Sequence, residues 1–150
     1  MSVLSDLQAK IGQEMGVSDW VEIPQNRIDQ FAEATEDHQF IHVDVDKAKA
    51  FTPFGGTIAH GFLTLSLLSR FAETGLPQIP GSKMGMNYGL NKVRFLTPVP
   101  CGAKVRGTFT LISAQEKNPG QLLLSYGISA EIEGGAKPAM VAEWLMLIFV

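Results

Sequence analysis

The sequence predicts an α+β domain in which a curved antiparallel sheet wraps around one central buried helix. Three observations carry that prediction. Ile58, Ala59, Phe62, Leu63, Leu65, Leu67, Leu68, Phe71 and Ala72 cover most of a helical wheel, and a helix that is apolar nearly all round is a buried one. From residue 84 onward the apolar side chains recur at every second position, which is the period of strands. Helical patterns come first and long strands follow, as in an α+β domain.

The elements follow in order. Leu4, Leu7 and Ile11 recur at helical spacing, with Gly12 or Gly16 as the stop, so residues 1–17 read as an N-terminal helical extension. Trp20 to Ile23 is a short strand. Pro24 suits the first turn of a helix whose inner face is Ile28, Phe31 and Ala32 and which ends near Thr35. A polar loop, Glu36 to His42, comes next, and then a short helix from about Asp44 to Phe51. Two Pro/Gly-rich joints, at 52–56 and 76–81, bracket the apolar helix of residues 58–74 rather than divide two domains, so 1–150 is a single domain. Beyond them, Ala103, Val105, Phe109 and Leu111 alternate with Lys104, Arg106, Thr108 and Thr110. Leu122, Leu124, Tyr126, Ile128, Ala130 and Ile132 form one face of another strand, with Ser125, Ser129 and Glu131 opposite. Ala139 to Val150 is apolar on both faces, as a central strand would be. Asn118-Pro119-Gly120 and Gly134-Gly135 are the turns between strands. A helix lying in the concave face of such a sheet is the hot-dog arrangement.

Composition narrows the function. The 150 residues are 45% hydrophobic and 18% charged, a globular balance that excludes a disordered tail protein. The net charge of −3 does not suit binding along a phosphate backbone, so nucleic acid is not an expected partner. One cysteine, Cys101, permits no internal disulfide and no zinc site built on several thiolates. The start of the chain has no signal-peptide pattern. The apolar run Trp144 to Val150 is far shorter than the roughly 20 residues of a membrane span. The expectation is a cytoplasmic protein with no membrane partner.

All three histidines, His38, His42 and His60, fall in one stretch of the chain. In a loop that curls after a helix end, Asp37 and His42 can converge on one small volume. A carboxylate and an imidazole so placed can hold a water, take a proton from it and return one to a neighbouring carbon. An Asp that satisfies loop amides and a His that caps a helix would look the same in sequence. Gly61 falls in the first turn of the apolar helix, where backbone N–H groups have no internal partners. A substrate carbonyl can approach an amide that carries no side chain, which would make an oxyanion site; close helix–sheet packing is the other use of such a glycine. His60 reads chiefly as a helix-start residue bonded to nearby backbone. Gly55-Gly56 is no phosphate loop, because no Lys-Ser or Lys-Thr follows at the required spacing.

These residues resemble a known family. The (R)-specific enoyl-CoA hydratases and MaoC-like dehydratases carry a Gly-Asp-x-Asn-Pro-(Ile/Leu)-His loop, and this chain reads Glu36-Asp37-His38-Gln39-Phe40-Ile41-His42. Their Ala-His-Gly is matched by Ala59-His60-Gly61. Their Phe-x-x-Pro-Val-x-x-Gly run is matched by Phe95-Leu96-Thr97-Pro98-Val99-Pro100-Cys101-Gly102. The likeness covers roughly residues 18–149, and the Thr-x-Asp-x-Gln-x-Ile-His version is similar to the nodulation-protein-N-like branch. Glu36, Gln39 and Phe40 stand where Gly, Asn and Pro are usual. These departures bear on the loop's conformation and leave the acid/base pair intact.

The resemblance implies reversible hydration of a trans-2-enoyl thioester to an (R)-3-hydroxyacyl thioester. It assigns Asp37 as carboxylate base, His42 as its imidazole partner and the Gly61 N–H as oxyanion donor. Gln39 would help orient the water or the pair. Phe40 and His60 would contact substrate, together with Arg94 as a cation for the coenzyme A handle; Lys83, Lys92, Lys104 and Arg106 are further cations. Phe51, Phe54, Phe62, Met84 and Met86 are candidates for an acyl slot. No metal or redox cofactor is expected, and coenzyme A enters only as part of the acyl-CoA substrate. By the same analogy the chain forms a homodimer that closes a long sheet edge. A hot-dog acyl-CoA thioesterase, or a non-catalytic acyl-thioester binding protein, would share this scaffold.

Overall fold

A computed structural model describes residues 2–150. The N-terminal half runs α1 (Val3–Gln8), β1 (Glu14–Val17), β2 (Val21–Glu22), α2 (Gln25–Thr35), α3 (Phe40–Val43) and α4 (Val45–Phe51). Two helices follow, α5 (Gly61–Ser66) and α6 (Leu68–Gly75). Four long strands complete the chain: β3 (Met84–Phe95), β4 (Lys104–Asn118), β5 (Gln121–Ile132) and β6 (Met140–Phe149).

The strands pair antiparallel in the order β1-β4-β5-β6-β3, with β2 also on β4. Their alternation decides which face is the core. Val105, Phe109 and Leu111 of β4 point inward beside Leu122, Leu124, Tyr126, Ile128 and Ala130 of β5, all buried. Phe71 of α6 packs into this face, close enough that a Cβ on Gly107 would stand 2.9 Å from its ring. The layout is the predicted hot-dog fold, with α5 and α6 held against a six-stranded sheet. β6 is central, as its two apolar faces require, whereas β3 is an edge strand.

Three expectations need correction. The single helix over 58–74 is two helices broken at Leu67, whose N–H is shared between the Leu63 and Thr64 carbonyls at 3.2 Å each, the tightened geometry of a helix end. Ile58 and Ala59 precede these helices in extended chain, where Ile58 bridges Pro100. The pair is not buried all round, since Phe62 is 65% exposed. Residues 1–17 are not wholly helical either. α1 stops at Gln8, Ile11 is exposed, and Glu14–Val17 joins β4 as a sheet strand. There Gly16 runs against Gly75 at the end of α6, so closely that a Cβ on Gly16 would lie 1.7 Å from the Gly75 carbonyl oxygen. The loop from Glu36 to His42 is shorter than expected, because α3 begins at Phe40. Among the described residues no helix is long and apolar enough to cross a membrane.

α2 begins after Pro24 and ends at Thr35, as the pattern predicts. Its C-cap is Glu36, at φ 62, the one described non-glycine residue with positive φ. An L side chain in this left-handed region costs about 1–2 kcal/mol that glycine avoids. Glu36→Gly should therefore raise the urea midpoint by the equivalent of about 0.5–1 kcal/mol, the strain relief less the extra freedom that glycine gives the unfolded chain. A lower midpoint would refute the strain.

Candidate active site

The site is organised by a strap, residues 57–59, lying between α3 and the turn at 98–101. The Ile58 N–H donates to the Ile41 carbonyl at 3.0 Å, and the Ala59 N–H to the Val99 carbonyl at 2.8 Å. The Cys101 N–H donates back to the Thr57 carbonyl at 3.0 Å. His42, on α3, is 6% exposed, and its Nδ1 lies 2.7 Å from the Ile58 carbonyl. A carbonyl only accepts, so Nδ1 carries the proton and Nε2 the lone pair. Burial holds the His42 pKa below the usual 6.5. The Ile58 hydrogen bond works upward, the neighbouring His60 downward and Asp37 upward. The balance keeps the imidazole neutral near pH 7.

Asp37 is exposed on the loop after α2, and its Oδ1 accepts the Gln39 N–H at 3.3 Å. His60 caps α5 by position, without a side-chain cap bond. It is 2% exposed, and its Nε2 lies 3.0 Å from the Asp37 backbone carbonyl. Its ring stacks on His42 at 3.8 Å between centroids. One oxygen of the Asp37 carboxylate and one ring nitrogen from each of the two histidines lie within 4.8 Å of one another. His42 and Gly61 line one cleft of about 360 Å3, with Ile58, Ala59, Thr64 and Phe95. The Cβ of an alanine at Gly61 would meet the Phe95 ring at 3.0 Å, so a side chain there would require that ring to shift.

Asp37, His42, His60 and Gly61, four of the seven residues singled out in sequence, thus share one neighbourhood. The other three sit apart from the cleft lining. Gln39 is exposed, Phe40 is half-buried with the Lys47 ammonium 4.6 Å above its ring, and the Arg94 guanidinium folds onto the Val93 carbonyl at 2.7 Å. Arg106 pairs with Glu131 and stacks on Trp20, so it is already engaged. Sequence reasoning missed Gln25. Its Nε2 donates to the His42 carbonyl at 2.7 Å and its Oε1 accepts from the Thr57 hydroxyl at 2.5 Å, tying α2, α3 and the strap together. Nothing in local sequence marks a glutamine in the first turn of a helix for that task. Two imidazoles and a carboxylate are also a set that transition metals use. With two ring nitrogens committed to carbonyls, only His42 Nε2, His60 Nδ1 and the Asp37 carboxylate would be open to an ion.

Comparison with known proteins places the chain in a family. The family model of the MaoC-like domain matches residues 6–122. The chain is 50% identical over 145 residues to nodulation protein N of Rhizobium leguminosarum bv. viciae, covering 97% of this chain and 90% of that one. It is 49% identical over 140 residues to 3-hydroxyacyl-thioester dehydratase Z of Mycobacterium tuberculosis, covering 93% and 91%. Among solved structures it is similar to the (R)-hydratase from A. caviae involved in PHA biosynthesis, with a TM-score of 0.73 and 25% identity over 91% of this chain and 94% of that one. On these likenesses this chain belongs to the MaoC-like dehydratase family, a family of hot-dog-fold hydro-lyases.

Proposed function

We propose that this protein catalyses the reversible hydration of a trans-2-enoyl thioester to an (R)-3-hydroxyacyl thioester, the thioester being carried on coenzyme A or on a phosphopantetheine arm. The observation that carries the reading is the neutral His42, its lone pair on Nε2, beside the Asp37 carboxylate and in the same cleft as Gly61. The product class is that of the mycobacterial relative's name, and the stereochemistry that of the A. caviae enzyme.

In this reaction a water sits between His42 and Asp37. His42 Nε2 takes one of its protons while the water oxygen bonds to C3 of the substrate. The electron pair of the double bond moves through C2 onto the thioester oxygen. The Gly61 N–H, at the first position of α5 and without an intrahelical acceptor, meets that developing charge. The imidazolium, stabilised by the Asp37 carboxylate, then returns a proton to C2 and the thioester carbonyl re-forms. On this reading His42, whose lone pair is on Nε2, takes the first proton, and Asp37 acts through its charge. No step uses a metal or a redox group. Coenzyme A enters with the substrate, and surface cations such as Lys92 and Lys104 are the candidates to meet its phosphates.

A second copy of the chain is the proposed partner of β3. All twelve residues of this edge strand are exposed or half-buried, including Met84, Met86, Tyr88, Leu90 and Phe95. An edge this long and apolar is an aggregation hazard unless it is covered. Sedimentation should give about twice 16.3 kDa at micromolar concentration; a monomer would refute the dimer.

Loss of absorbance at the enoyl-thioester band of crotonyl-CoA and its longer homologues tests the activity. Asp37→Asn and His42→Gln should each lower the rate by about 100-fold or more, the scale of a lost acid/base group. Wild-type rates in both variants would overturn the assignment. Release of coenzyme A without hydration, read by thiol trapping, would make the protein a thioesterase instead.

The pH dependence has a definite sign. The folded chain binds the His42 proton less readily than the unfolded chain does, so the stability linked to it is intact above pH 6.5 and declines as the pH falls below that value. The rate should stay level above pH 6.5 on this group's account and fall on the acid side. Removing the Asp37 charge withdraws an upward influence, so Asp37→Asn should shift the His42 titration, followed by NMR of its ring proton, to lower pH. A shift to higher pH would mean that the two groups do not interact as described.

A further inference from the structure

His60 is the middle of three rings. Phe31 of α2 lies 4.9 Å from it, tilted, and His42 stacks on it at 3.8 Å. It occupies the cap position of α5, where Ser, Thr, Asp or Asn would bond the free amides, yet it makes no such bond. Its one polar contact is with the Asp37 backbone carbonyl, 23 residues away in the chain. That contact fixes the proton on Nε2 and leaves Nδ1 buried with no partner. An orphaned acceptor is costly, and an apolar side chain of similar size would fill the space without it. Packing alone therefore does not account for an imidazole here. What an apolar side chain would lose is the hold on the loop that carries the Asp37 carboxylate.

We propose that His60 is a positioning residue: its Nε2–H anchors the backbone of Asp37 while its ring face seats the His42 imidazole, so that one side chain sets the two acid–base groups relative to each other. This rests on the hydratase reading. It goes beyond that reading by giving His60 no contact with substrate, contrary to the role the resemblance implies. Displacement of a catalytic group by about 1 Å is enough to lower a rate by roughly 100-fold. His60 would thus act on turnover and leave substrate affinity alone.

Two variants separate the parts. His60→Phe keeps an aromatic ring against His42 and removes the donor. His60→Gln places an amide N–H near the position of Nε2 and removes the ring. With crotonyl-CoA, His60→Phe should lower kcat at least 10-fold with KM unchanged within about twofold, and His60→Gln, which restores the donor without the ring, should recover part of that loss. Circular dichroism and thermal melting confirm folding, and His60→Leu replaces the Phe variant should that one fail to fold. Wild-type kcat in the Phe or Leu variant, or a Gln variant no better than either, would overturn the proposal. Nitrogen-edited NMR of the wild-type rings supplies a readout independent of turnover. The proposal requires the proton on Nε2 of His60 and on Nδ1 of His42, and the opposite tautomer in either ring would overturn it. A wild-type protein with no hydration activity but with these tautomers would overturn the reaction while leaving the anchoring of Asp37 in place.

Discussion

The hydrogen bond from His42 Nδ1 to the Ile58 carbonyl, 2.7 Å long and buried, is the contact on which the chemistry of the site depends. It decides which nitrogen of His42 is basic, and it decides this through backbone rather than through another titratable group. The carbonyl in turn is held by the strap, whose amides and carbonyls are spent on Ile41, Val99 and Cys101. Moving Ile58 would therefore disturb two loops at once. Gln25 adds a second hold on the His42 carbonyl from α2, so the imidazole is fixed at both its main chain and its ring.

This arrangement explains why the acid and the imidazole are treated differently. His42 is buried, and burial keeps it neutral, which a proton acceptor near pH 7 requires. Asp37 stays exposed, which spares the fold the cost of desolvating a carboxylate. The two environments produce an unlike pair from groups close together in space. The strained Glu36 lies directly before Asp37, and its left-handed φ turns the chain out of α2 so that the loop can reach back over His60.

Much of this was legible in the sequence, and the parts that were not share a cause. The long strands were read correctly because alternation repeats over ten or more residues and each repeat adds to the signal. β1 has four residues and a bulge, too short for any period to emerge, and both its partner β4 and the Gly75 backbone that Gly16 meets lie far along the chain. The break at Leu67 left no mark because leucine fits a helix end and a helix interior alike. At the site, Asp37 and His42 stood out as residue types with chemistry, and Gly61 as a glycine where a helix was due. The Gln25 clamp joins side chains far apart in sequence, and no local pattern encodes such a pairing. Arg94 was named for its charge, but its guanidinium is turned to its own strand.

The exposure of Asp37 sets a condition on catalysis. A carboxylate in open water orients a single water molecule poorly, because bulk solvent competes for the same oxygens and screens its pull on the neighbouring imidazole. On the proposed hydratase reading, the pair therefore needs a cover. One apolar ledge borders the cleft: Phe62 of α5 projects outward and meets Phe95 of the edge strand edge-to-face at 5.9 Å, with Leu96 exposed beside it. Phe95 and Leu96 also line the cleft that holds His42 and Gly61. Any body that buries this apolar ledge, whether the acyl part of the substrate or a second copy along β3, also closes the cleft. On that reading, the hydrophobic gain of covering the ledge and the dehydration that the proposed chemistry needs are one event.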